Sequence, residues 1–377
     1  MSKKSFLTLC AVTAIAVVLA VVAVLSGPRV RTSVQDNQPL FPNLIKNVDE
    51  LKSVVIHHGG ETTSLDWDGK MWRYRERANY PADGAKITNL VVTLARMTKL
   101  EPKTKQSDRY DRLELEDPNG KEAKSQQVML IDRNGKELAN VIIGKTRAML
   151  GNQDGGTYIR FPADPQTWLA RGELSPGKSA ADWLQREIVD IKDVAIKTVR
   201  VTPPNGEKIV VFKADPTDRI YSVENLPKGM ATPPNPLAAD AYARVLANFT
   251  FDDVVPAASK TFPKEKTTTA VFEGFTGFKV NLDFMTEGDE AWVKLQGQAP
   301  PQRATPAAPE GVHVTDLRND WDKTIADLNA KADGWVFRVP AFQVEALTRR
   351  MSDLLKKPEA APSGVPQGFS QGRPPGG

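Results

Sequence analysis

Residues 6–25 read FLTLCAVTAIAVVLAVVAVL, without a charge or a proline, and this run constrains the chain more than anything after it. At about 1.5 Å per helical residue it reaches roughly 30 Å, the thickness of a bilayer's hydrocarbon core. A cleaved signal peptide normally has an apolar core of about 7–15 residues followed by small residues at the cleavage site. This run is longer. Val24-Leu25-Ser26 makes a poor cleavage site, and Val21-Val22-Ala23 a passable one. The pattern predicts a retained transmembrane anchor over 6–25, preceded by a short segment 1–5. Lys3 and Lys4 lie before the span and Arg29 and Arg31 after it, so the amino terminus tips a near-balanced count toward N-in, C-out. No other stretch is long and apolar enough to span, which leaves about 350 residues on one side.

That remainder has the composition of a folded domain. Charged residues make up 25% of the chain and aromatic residues 7%, and the net charge is +4. This balance gives no electrostatic reason to expect nucleic acid or a strongly acidic partner. The only cysteine, Cys10, lies inside the expected anchor. The rest can form no disulfide, which is compatible with an oxidising compartment without identifying it.

After a polar tether (26–38) the folded part begins at PLFPNL and reads as short strands and tight turns. Asp68-Gly69, Asn134-Gly135 and Asn205-Gly206 each sit between extended segments and predict hairpins. A two-residue loop at 68–69 sets Leu65 opposite Trp72 and gathers Leu65, Trp67, Trp72 and Tyr74 on one face. The hairpin VMLID-RNGK-ELANVIIG is apolar on both faces and reads as more deeply buried. A unit of aromatic strand, proline and helix recurs. Its first copy ends in a helix with Ile87, Leu90, Val91 and Leu94 on one stripe and Asp83 as N-cap. The second passes through DRIYSVENL to a helix capped at Asn235-Pro236. The third is GWVFRVPAFQVEALTRRMSDLL, with Val344, Leu347, Met351 and Leu354 at helical spacing. The expected fold is α+β: the N-terminal transmembrane helix, then two related mixed halves with antiparallel hairpins, over 39–178 and 179–356, with an extra strand-helix unit closing the second. QAPPQRATPAAPEG at 298–311 reads as an exposed loop, and the Pro/Gly-rich 357–377 as a disordered tail.

PLFPNL after an anchor, the tryptophan hairpin, YPAD before a helix, TYIRFPADPQTWL, ADWLQREIVDI and GWVFRVPAFQVEAL together resemble the bacterial domain-of-unknown-function family numbered 4340. The resemblance covers nearly all of the chain after the anchor, through hydrophobic-pattern motifs of low specificity. It implies a single-pass inner-membrane protein with a periplasmic domain, encoded beside components of ABC-type transport systems of the gliding-motility auxiliary kind. It brings no catalytic residues to map.

Five motifs invite a chemical reading. GELSPGKS at 172–179 matches G-x-x-x-x-G-K-[ST], with Lys178 and Ser179 as phosphate ligands. A P-loop, however, points successive backbone N–H groups at phosphate, and Pro176 has none to give. A Ser-Pro-Gly turn followed by Ser179 capping a helix, with Asp182 three residues on, accounts for the same letters. GFSQG at 368–372 matches a nucleophile elbow, but Ser370 stands in the Pro/Gly tail with no histidine after it. LDWDGK aligns Ser64, Asp66 and Asp68 with calcium-loop positions and puts Arg75 where the bidentate glutamate belongs, so a hairpin turn is the better account. His57 and His58 are strand neighbours that point to opposite faces, and His313 is remote, so no metal set forms. Trp67, Trp72, Tyr74, Trp335 and Phe337 sit at strand spacing and read as core, with a sugar- or peptide-binding groove as the other reading.

The expectation is therefore a non-enzymatic, membrane-anchored periplasmic accessory or binding subunit of an envelope (ABC-type) transport or assembly system. It carries no catalytic, cofactor-binding or metal residues. Its partners are the inner-membrane bilayer and ABC-type permease or other envelope proteins, with no nucleic acid. The rival readings are a nucleotide-binding enzyme using 172–179 and a periplasmic glycan- or peptide-binding module.

Overall fold

The computed structural model describes residues 38–148, 155–226, 237–301 and 320–355. The expected segment 1–5, the anchor (6–25), the tether up to 37, the Asn235-Pro236 cap, residues 302–311 of the loop and the tail (357–377) lie outside the described residues. Among the described residues no helix is long and apolar enough to cross a membrane.

The chain runs β1 (Leu51–His58), β2 (Glu61–Trp67), β3 (Trp72–Tyr74), β4 (Tyr80–Pro81), α1 (Gly84–Arg96) and β5 (Thr98–Pro102). It continues through β6 (Gln126–Asp132), β7 (Glu137–Arg147), β8 (Gly156–Arg160), β9 (Thr167–Arg171) and β10 (Glu187–Val189). Next come β11 (Ile196–Thr202), β12 (Ile209–Phe212), β13 (Ser222–Val223), α2 (Leu237–Ala243), β14 (Phe249–Thr250) and β15 (Asp253–Pro256). It closes with β16 (Thr268–Gly274), β17 (Lys279–Glu287), β18 (Glu290–Gln298), α3 (Trp321–Ala332), β19 (Trp335–Pro340), α4 (Glu345–Thr348) and α5 (Met351–Leu354). The fold is α+β, dominated by antiparallel sheet. Two compact units divide it, 38–62 with 87–176 and 63–86 with 177–355. A division at 178/179 assigns 63–86 to the first half, whereas its contacts place that segment in the second unit.

In the first unit six strands run in the order β1-β6-β7-β8-β9-β5, and every neighbouring pair is antiparallel. β6 alternates buried with half-buried positions and exposes none, as a strand apolar on both faces should. Asp132 makes the Asn134-Gly135 turn by accepting from the Asn134 and Lys136 amides at 2.8 and 2.9 Å. α1 buries the expected stripe of Ile87, Leu90, Val91 and Leu94. Asp83 caps it, its Oδ1 accepting from the Ala85 and Lys86 amides at 3.0 and 3.3 Å.

The second unit's main sheet has the order β13-β12-β11-β16-β17-β18-β19-β15, again antiparallel throughout. Its segment β11-β16-β17-β18-β19-β15 repeats the first unit's order, with α2 before β15 as α1 stands before β5. β19 thus holds in this sheet the place β9 holds in the other. The strand of the expected closing unit is therefore not an addition to the sheet, whereas among the described residues no helix pair like α4 and α5 follows β9. The expected loop 298–311 also starts late, because Gln298 still belongs to β18.

The β2–β3 hairpin corrects the expected register. Leu65 faces Tyr74 and Trp67 faces Trp72 across a four-residue loop, 68–71. Asp68 is the reason: its Oδ1 accepts from the Lys70 and Met71 amides at 2.8 and 2.9 Å, closing a wider turn than Asp-Gly alone dictates. Face assignment survives because the shift is by two residues. Leu65 and Tyr74 are buried, and the Trp67 and Trp72 rings lie 5.7 Å apart.

Segment 63–86 is held in its unit by a plug of rings. Tyr80 is buried, with its ring edge-on to Trp335 at 4.9 Å and Phe251 at 5.7 Å. Beside it Arg77 forks onto the Asp253 carboxylate. The Asp83 amide donates to the Trp183 carbonyl at 2.8 Å, and Ala82 bridges Leu184.

The last helix is not continuous. Val344, Leu347 and Leu354 are buried and Met351 half-buried, but the chain leaves helical geometry at Arg349 and Arg350 between α4 and α5. Three contacts hold that break. The Tyr242 hydroxyl donates to the Arg349 carbonyl at 3.1 Å, the Arg350 amide donates to Asp353 Oδ2 at 2.8 Å, and the Met351 amide donates to Glu207 Oε1 at 3.2 Å.

Candidate functional site

A surface groove of the second unit lies beside this break, with Arg349 in its lining. α2 lies against α4, and between them, with the turn at 244–246 and the residues around Thr250, opens a groove of about 610 Å³. Its floor is apolar and small: Ala241, Val245 and Ala346. Tyr242, on the same helix as Ala241, is wholly buried. Burial pushes the Tyr242 phenol well above its ordinary value, so it stays protonated and donating.

Phe342 stands on the groove's edge and is 72% exposed, more than any other large apolar side chain described. Gln343 next to it is pinned. Its Oε1 accepts from the Thr250 amide at 3.1 Å, and its Nε2 donates to the Thr250 hydroxyl at 3.2 Å. Arg244 and Arg349 bring guanidinium groups to the rim. Arg244 is committed to Asp193 at 3.0 Å and, more loosely, to Asp240 at 3.7 Å. Arg349 lies 4.0 Å from Glu345. Such a lining offers apolar contact and hydrogen-bonding edges, the chemistry of a protein- or peptide-binding surface.

Sequence reasoning misses this groove because 341–355 reads as one amphipathic helix. A signal is nevertheless present: a phenylalanine at 342 falls off the Val344/Leu347/Leu354 stripe and must therefore face outward.

The motif residues singled out from the sequence serve other ends. Lys178 and Ser179 give their amides to Asp182 Oδ2, each at 2.9 Å, and the Ser179 hydroxyl donates to the same oxygen at 2.8 Å. The motif leads into a three-residue 3-10 turn, Ala180–Asp182, and the preceding β9 is antiparallel to both its neighbours. Each glycine of the motif has its own local reason. Gly172 has φ +115°, and a Cβ on Gly177 would stand 2.2 Å from Asp182 Cβ. Burial raises the Asp182 carboxyl, but the bonds from Ser179 and Lys178 outweigh it and hold the group below its ordinary value.

The calcium-like string is an ion-paired hairpin. Arg75 forks onto Asp66 at 2.8 and 2.9 Å, Arg73 binds Asp68 at 2.7 Å, and Ser64 is buried. Hydrogen bonds from the Met71 amide, Arg73 and the Lys70 amide hold the Asp68 carboxyl far below the usual range. His57 shares a hydrogen bond with Thr62, and His58 donates to the Ser125 carbonyl, each at 2.9 Å. Among the described residues no cluster of three His, Cys, Asp or Glu could hold a metal ion. His313 and Ser370 lie outside the described residues. Tyr74 and Phe337 are buried, while Trp67, Trp72 and Trp335 are half-buried in the same strands.

No curated protein and no solved structure matches the chain. One family model does, from the start of β3 into β16, a stretch that takes in Tyr80 and Phe251 of the plug, the capping turn at 179–182 and the α2 wall of the groove. That model, described as a domain of unknown function (DUF4340), spans residues 72–270, more than half of the chain, and the chain belongs to this family.

Proposed function

We propose that this protein is a non-enzymatic, membrane-anchored periplasmic accessory or binding subunit of an envelope transport or assembly system of the ABC type, with Phe342 and its groove as the partner-docking surface. The observation that carries the reading is Phe342 itself, 72% exposed on the edge of a groove with an apolar floor. A phenylalanine left in water at such an edge is the kind of anchor that dominates protein–protein contacts. The charge-free run 6–25 supports the anchor, and the family resemblance supports the transport context. A permease or another protein of the same envelope is the partner.

The test joins topology to capture. A reporter fused after Gly377 should be active only outside the cytoplasm, and the chain should co-purify with permease subunits in mild detergent. Phe342→Asp should weaken that association by at least about tenfold, since burying one phenylalanine contributes about 1.5–3 kcal/mol. A reporter active inside, or a protein repeatedly recovered alone, rules the reading out.

A further inference from the structure

We propose that the first unit rests on the bilayer surface through an apolar patch formed by Ile45, Val48 and Val92, at the place where the tether joins the fold. The inference rests on the anchored reading above. Ile45, Val48 and Val92 are 64%, 39% and 38% exposed. Together with Leu44 and Ala95 they border an apolar crease of about 180 Å³. Ile45 and Val48 come from the 3-10 turn Ile45–Glu50, and Val92 from the outer side of α1. α1 has already buried its inward stripe, so Val92 serves no core.

What covers the patch is argued from where the chain arrives. The Lys99 amide donates to the Gln38 carbonyl at 3.0 Å, the Leu40 amide donates to the Met97 carbonyl at 2.9 Å, and Pro39 bridges Thr98. These contacts fix the incoming chain directly after the C-terminal end of α1, which carries Val92, Ala95 and Arg96. The tether 26–38 spans at most about 45 Å at full extension, so this end of the unit cannot leave the neighbourhood of the membrane. Three aliphatic side chains are too few to hold a free protein on lipid, but a tethered one meets the surface at high effective concentration.

The contact is apolar. The exposed charges on the same turn and helix end are Lys46 and Arg96 against Asp49 and Glu50, which offset one another. Zwitterionic lipid should therefore suffice, and anionic lipid should add little.

The full-length chain with Cys10→Ser and Val48→Cys, labelled with a small fluorophore, is reconstituted into phosphatidylcholine vesicles carrying acyl-chain nitroxides. Lys121→Cys is the reference. It lies beside Gly60 beyond the other end of β1, roughly 23 Å from the start of that strand at 3.3 Å per residue. Quenching should be several-fold stronger at position 48 than at 121 and should persist when phosphatidylglycerol replaces part of the lipid. It should fall when Ile45→Asp and Val92→Asp are added. Equal quenching at 48 and 121 in vesicles that retain the protein through a carbonate wash overturns the proposal alone. So does a label at 48 shielded from both lipid and aqueous quenchers, which would mean a protein covers the patch. Release of the chain by carbonate overturns the anchored reading and this proposal with it.

Discussion

Removing the Tyr80 ring tests whether segment 63–86 is core to the second unit. Tyr80 is 2% exposed and meets three rings edge-on, Trp335 at 4.9 Å, Phe251 at 5.7 Å and Phe337 at 6.1 Å. Tyr80→Ala empties that volume with Phe251 and Phe337 already packed at 4.9 Å from each other, so the walls have little room to collapse. Large aromatic-to-alanine changes in such sites cost about 3–5 kcal/mol, a figure that includes about 0.5–1.5 kcal/mol for each aromatic pair broken. Tyr80→Phe keeps the ring and loses only a long bond from the phenol to the Lys331 carbonyl, 3.4 Å, worth less than about 1 kcal/mol. The gap between the two variants is therefore the size of the ring's packing. Urea unfolding followed by tryptophan emission reads it, because Trp335 is one of the contacting rings. Hydrogen exchange locates it: protection should fall in β15 and β19 and hold in β6 and β7. A Tyr80→Ala cost below about 1 kcal/mol, or protection lost first in β6 and β7, would refute the assignment of 63–86 to the second unit's core.

Two further substitutions, with Lys178→Ala as a control, probe single polar side chains that hold backbone groups of the second unit. β19 pairs with β18 only at Glu290–Val293. Farther along, Asn329 of α3 takes both polar groups of Gly297, accepting from its amide at 2.7 Å and donating to its carbonyl at 3.0 Å. Asn329→Ala strips both and should cost about 2–4 kcal/mol, read as a thermal midpoint lower by about 4–16 °C; a midpoint within a degree of wild type would contradict it. At the P-loop-like turn, Asp182→Ala should cost about 1 kcal/mol through loss of the cap, while Lys178→Ala stays within about 0.5 kcal/mol. Because folding lowers the Asp182 pKa, its contribution is present above the ordinary value of 3.8 and fades as pH falls through the folded value. Stabilities of wild type and Asp182→Ala should thus converge in acid, and a gap constant with pH would exclude the carboxylate as its source.

Local chemistry was legible in the letters, while long-range placement was not. Asp68-Gly69, Asn134-Gly135 and Asn205-Gly206 each mark a hairpin turn, and the Ile87/Leu90/Val91/Leu94 stripe and the Asp83 cap follow from periodicity and capping alone. The register of the first hairpin was not legible, because it depends on which amides a carboxylate takes, and Asp68 takes two. Nor was the docking of 63–86. Tyr80 meets residues more than 170 positions away, and no window of local sequence encodes that pairing. The groove stayed hidden for a third reason. Its break at Arg349 and Arg350 is held by Tyr242, Asp353 and Glu207, and two of these three come from elsewhere in the chain. The P-loop-like string shows how a motif can match by letters while its geometry answers another need. Its glycines serve a left-handed turn and a close approach, and its amides serve a carboxylate.

The shared strand order also explains where the two exposed apolar surfaces stand. In each unit the helix before the edge strand buries one side and leaves residues on the other exposed or half-exposed. α1 is long, and the turn Ile45–Glu50 brings Ile45 and Val48 beside it to make a small crease. α2 is short and passes into a 3-10 turn, and the broken α4–α5 segment beside it leaves a larger groove with Phe342 on its edge. One scaffold position thus carries two different surfaces, since the strand order fixes the site and the neighbouring segment fixes its chemistry. The roles proposed for these surfaces are consequently separable. Phe342→Asp alters a side chain of the second unit alone, and Ile45→Asp with Val92→Asp alters side chains of the first unit alone. Partner capture should respond to the former and lipid quenching at position 48 to the latter. If either substitution shifted both readouts equally, the two surfaces would have to act as one, and a division of labour between them would be untenable.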